Sequence, residues 1–119
     1  MMLAGEHPVL ASLREQLHDL SVQGREYTGV GFFTSLVVRG TPARCGRVVI
    51  DDVVGSIPEL ARPVGFILFV EEGQLHVLEG FAHAEEWRDP LGDFTLSYSD
   101  PQRTKLRVSL DALNQSGAV

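Results

Sequence analysis

Cysteine occurs once in the 119 residues, as Cys45, tryptophan once, as Trp87, and lysine once, as Lys105. A single cysteine excludes an internal disulfide. Without histidine or carboxylate partners it also cannot build a zinc site, so a reducing, cytoplasmic setting is the expectation. Long apolar runs are missing too. The longest, VGFILFV at 64–70, is far below the roughly 20 residues that span a bilayer as a helix. The opening MMLAGEHPVL has neither the basic start nor the long apolar stretch of a secretory signal. No membrane association is expected. HExxH, CxxC and the GxSxG nucleophile elbow are absent, and no two carboxylates are fixed by spacing on one face of a regular element. The motifs therefore give an enzyme no support, and no cofactor is implied.

Positive charge is scarce, and the deficit is local. Net charge is −6. From Glu71 to Asp93 seven acids face one base, Arg88, while the rest of the chain balances nine acids with nine bases. Such a field repels nucleic-acid phosphates and attracts a basic protein surface. It has two readings: a solvated hairpin end kept soluble by charge, or a binding face built from Glu71, Glu72, Glu85, Glu86 and Asp89 around Trp87. Trp87 would be an aromatic anchor ringed by charge or a lid folded back on the core. The preference for arginine over lysine, nine to one, fits a GC-rich bacterial coding bias.

At this length one domain, 1–119, can bury a core without staples. Val9, Leu10, Leu13, Leu17 and Leu20 recur at spacings of three and four, which predicts an amphipathic N-terminal helix opened by Pro8 and stopped by Gly24. From Tyr27 to Val38 the chain is aromatic and β-branched and predicts one long strand. RVVIDDVV predicts another, breaking at the Asp51, Asp52 pair. VGFILFVEEGQLHVLEGF predicts a hairpin turning at Glu72 and Gly73. Its first strand is apolar at successive positions, so it is expected at the sheet centre with both faces covered, the second face by a returning segment or by a second copy in a homodimer. Phe94, Leu96 and Tyr98 alternate, as do Leu106, Val108 and Leu110, which predicts a second hairpin; a helix through Leu106, Leu110 and Leu113 is the alternative for 104–113. The fold class is α+β, one N-terminal helix on an antiparallel sheet of about five or six strands.

Gly29 and Gly31 in REYTGVGFFT lack the strand-then-helix context and third glycine of a nucleotide loop. Strand periodicity would put Tyr27, Gly29, Gly31 and Phe33 on one face, leaving a bare strip between two rings. The protein's own side chains or a ligand would fill it. In the second case Arg25, Glu26, Tyr27 and His76 would stand near the mouth of a pocket beside Gly29 and Gly31. Arg25 and Glu26 read equally as a rim ion pair. Cys45, between Arg44 and Arg47 in a Gly-rich turn, reads as an incidental exposed thiol. His76 and Glu79 are offset by three and fall on opposite strand faces. His83 with Glu85 and Glu86 has loose metal-ligand spacing without a scaffold. No metal site is assigned.

Over residues 7–98 the segments REYTGVGFFT, GFILFVEEGQLHVLEGF and EEW resemble those of a group of short, uncharacterised bacterial α+β proteins, and that resemblance implies no catalytic residue. In size, acidity and α+β character the chain is similar to immunity proteins that neutralise bacterial toxins, which implies a basic protein partner. The expectations in order are a non-catalytic domain presenting its acidic end to such a partner, a small-ligand or catalytic domain, and a structural homodimer.

Overall fold

The computed structural model describes residues 1–56, 62–82 and 95–115. Helix α1 (Pro8–Glu15) leads through a 3-10 turn (Gln16–Asp19) into strands β1 (Leu20–Tyr27), β2 (Gly31–Val38), β3 (Val48–Ser56), β4 (Val64–Glu71), β5 (Gln74–Phe81) and β6 (Thr95–Tyr98), and helix α2 (Thr104–Gln115) follows. The strands form one six-stranded sheet in the order β1-β2-β5-β4-β3-β6, with every neighbouring pair antiparallel. The class is α+β, and β4 lies at the centre, as its unbroken apolar run requires.

Helix α1 starts where the sequence places it. Pro8 occupies the first turn, and the Nδ1 of His7 accepts from the Val9 N–H at 3.2 Å. Val9, Leu10 and Leu13 are buried. The predicted continuation to Gly24 does not form. Gln16 is buried, and its Nε2 donates to the Gly73 carbonyl at 2.8 Å while its Oε1 accepts from the Leu75 N–H at 3.0 Å. This side chain ties the end of α1 to the β4–β5 turn. The chain then leaves as β1, with Leu20 opposite Val38 and Gly24 at a register shift in the strand rather than at a helix cap. Leu17, expected in the apolar stripe, is 51 % exposed.

The predicted strand 27–38 is a hairpin. Tyr27 ends β1, Gly31 opens β2, and the Thr28 N–H donates to the Gly31 carbonyl at 2.9 Å across the turn. At the other end of the chain a helix replaces the second hairpin. Asp100 accepts from the Gln102 N–H at 3.1 Å in the preceding turn and from the Thr104 N–H at 2.9 Å, the latter an orphan donor of the first turn of α2. These two bonds hold its carboxyl below the usual carboxylate range. Leu106 and Leu110 then share a face and are buried, while Val108 is 63 % exposed.

Register assigns each strand residue to a face. Val38, Ile50, Leu68, Val70 and Leu75 point to the side on which Leu10 and Leu13 of α1 and Leu106 and Leu110 of α2 complete the core. The opposite face carries Phe33, Val37, Val49, Ile67, Phe69, Val77 and Phe81, and both described helices lie on the other side. Among the described residues the covering expected for this second face is not supplied by a helix.

Candidate functional site

The residues foreseen as a pocket beside Gly29 and Gly31 are not gathered there. Arg25 and Glu26 are consecutive in β1 and project to opposite faces. The Arg25 Nε donates to Thr34 Oγ1 at 2.8 Å, and its guanidinium stands 5.2 Å from the Phe32 ring centre, on the helix side. Glu26 pairs in register with Phe33 on the open face. His76 lies near the far end of β5, five residues from Phe81, the partner of Gly31, which is about 16 Å along a strand. The two glycines answer different needs. Gly29 takes φ +89° in the hairpin turn. At Gly31 a Cβ would stand 1.9 Å from the Gly80 carbonyl oxygen, so β2 and β5 approach too closely there for any side chain. No groove between Tyr27 and Phe33 results.

Three of the foreseen residues do come together, at the β4–β5 turn. Glu71, Glu72 and His76 line a depression of about 460 Å³ with Gln23, Gln74 and Val37. Glu71 is paired with Arg47 at 3.2 Å, with both side chains well exposed. Such a pair is worth at most about 1 kcal/mol. Glu85, Glu86, Trp87 and Asp89, and His83 with them, lie outside the described residues. Among the described residues no three His, Cys, Asp or Glu side chains group as metal ligands, and no helix is long and apolar enough to cross a membrane.

Cys45 is a correction. It is buried in the core cluster, 2 % exposed, and burial pushes its thiol above the ordinary value. The neighbouring arginines do not activate it, because the loop 39–47 packs down onto the β4–β5 turn: the Ala43 N–H donates to the Gly73 carbonyl and the Gly73 N–H to the Gly46 carbonyl, both 2.8 Å. The native protein is therefore expected to resist alkylation by iodoacetamide at pH 8 and to label fully in urea; rapid labelling of the native form, followed by mass spectrometry, would overturn the burial.

The feature that sequence reading missed is the open sheet face. Phe33 and Val37 are each 38 % exposed and Val49 40 %, and Ile67, Phe69, Val77 and Phe81 are half-buried around them. Glu79 stands in the middle, opposite Phe33 on β2 and Ile67 on β4. It is half-buried and has no hydrogen bond or ion pair among the described residues. The signal was present in the sequence. Val77, Glu79 and Phe81 alternate along β5, but only the strand order brings Phe33 and Ile67 to either side. No protein-family model matches the chain, and no curated protein or solved structure matches it.

Proposed function

We propose that this chain is a non-catalytic protein-binding domain that offers an apolar, acid-bearing surface to a basic partner, the role an immunity-type protein would play. One observation carries the reading: the described helices occupy one side of the sheet, and the other side keeps Phe33, Val37 and Val49 substantially exposed. Glu26 and Glu79 on that side are without partners among the described residues, and Glu71 and Glu72 stand at the adjoining turn. This extends the acidic binding surface from the hairpin end onto the sheet. The ligand-pocket reading is weaker, since Arg25, Glu26, Gly31 and His76 are spread over two faces and two ends of the sheet.

The test is capture of partners from the source cell with immobilised protein and with a Phe33→Asp variant. The variant should lose at least about 90 % of a protein that wild type retains, tenfold weaker binding being about 1.4 kcal/mol, while keeping the wild-type unfolding midpoint. Equal recovery by both would end the reading for this face. Burial of the face in a homodimer is the structural alternative, and it predicts a dimeric mass at micromolar concentration.

A further inference from the structure

We propose that the open face of the sheet receives an arginine of its partner, stacked on Phe33 and flanked by Glu79 and Glu26; this rests on the protein-binding reading above and names the chemistry that would be recognised. Register sets the three residues in a row across neighbouring strands: Glu26 on β1, Phe33 on β2 and Glu79 on β5. Adjacent strands are about 4.8 Å apart, so the two carboxylates start roughly 10 Å from each other with one aromatic ring between them. Neither carboxylate has a hydrogen bond or ion pair among the described residues. Ile67 bounds the row beyond Glu79.

An apolar partner surface closing over Glu79 would strip its water and leave a charge unpaired, which is costly, so a partner that buries this face must bring a cation. Arginine suits the row better than lysine. Its planar, weakly hydrated guanidinium can lie on the Phe33 ring while its N–H groups reach a carboxylate at either side. A second copy of the chain is a poor occupant. Among the described residues the bases that strand alternation carries toward this face, Arg39 just after β2 and Arg47 just before β3, stand at its rim, Arg39 six residues along the strand from Phe33, and Arg47 is already engaged by Glu71 at 3.2 Å. A symmetric pairing would instead set carboxylate against carboxylate.

The experiment is selection from a phage-displayed library of random twelve-residue peptides on the immobilised full chain, with counter-selection on the Phe33→Asp variant so that Phe33-dependent binders remain. The expected sequences carry one arginine between apolar residues. A synthetic peptide of that kind should bind about tenfold more weakly to Glu79→Gln and more weakly still to the Glu26→Gln, Glu79→Gln double variant. Its arginine-to-lysine analogue should lose affinity for wild type, and Glu79→Lys should select acidic peptides instead. Neither carboxylate holds a described contact, so these variants keep the fold, which their unfolding midpoints verify. Phe33-dependent peptides lacking a base, or affinity unchanged in Glu79→Gln, would overturn the arginine assignment and leave the protein-binding reading standing. Failure to recover any Phe33-dependent peptide would overturn both. Sedimentation showing a dimer that Phe33→Asp dissolves would give the face to a second copy and overturn the assignment as well.

Discussion

Replacing Arg103 with alanine is expected to lower the free energy of unfolding by about 3–5 kcal/mol, the cost of leaving a buried charge without its partner. Arg103 and Asp52 are 11 % and 10 % exposed in their side chains and meet through two bonds, Nε to Oδ2 at 2.6 Å and Nη2 to Oδ1 at 2.9 Å. The same guanidinium donates to the Met2 and Ala4 carbonyls, both at 2.9 Å, and lies 4.5 Å from the Tyr98 ring centre. The Asp52 carboxylate stabilises its charged form and shifts its pKa upward. One side chain thus joins the N-terminal segment, the β3 bulge and the entry to α2. Its removal strands Asp52 at that bulge and frees the segment over the core that holds Leu3, which is 7 % exposed. Urea unfolding measures the loss. Lys105→Ala is the control: its partner Asp51 lies 3.0 Å away, but the side chains are 79 % and 36 % exposed, so its loss should stay below about 1 kcal/mol. Similar losses for the two variants would mean that the Arg103 site is wet.

Gly73→Ala is expected to cost about 3 kcal/mol or more. Gly73 has φ +76°, and a Cβ there would stand 2.1 Å from the Ala43 carbonyl oxygen. The left-handed backbone alone costs an alanine about 1–2 kcal/mol. Relieving the clash must also disturb the bonds to Ala43, Gly46 and Gln16, each worth about 0.5–1.5 kcal/mol. Gly46→Ala separates the two effects, since Gly46 has φ +60° with nothing within 4 Å of its Cβ position; it should lose only the backbone term. Thermal or urea unfolding of both variants reads the difference, and equal losses would mean that the turn does not press on the loop. Gly73 also holds, through its bonds to Ala43 and Gly46, the loop that carries Cys45, so Gly73→Ala should speed labelling of that thiol.

The sequence by itself determined the elements whose pattern needs no distant partner. The β4–β5 hairpin was legible because two apolar runs meet at Glu72 and Gly73, and the start of α1 because Pro8 precedes leucines at helical spacing. The α+β class follows from the two periodicities together. Only the tertiary structure decided where α1 stops, since Gln16 finds its partners at Gly73 and Leu75, 57 and 59 residues away. It decided α2 as well. Leu106 and Leu110 suit a strand and a helix equally, and the bonds from Asp100 to Gln102 and Thr104, with Arg103 docked on Asp52, favour the helix. The need for glycine at position 31 comes from a contact between strands, with the Gly80 carbonyl, that no local pattern contains. The candidate site divides in the same way: Val77, Glu79 and Phe81 alternate visibly along the chain, whereas Phe33 and Glu26 join them only through the order β1-β2-β5. Local periodicity fixes which face of a strand a residue takes; the neighbours it meets there depend on pairings between segments far apart in sequence, and those are chosen by burial of the whole core.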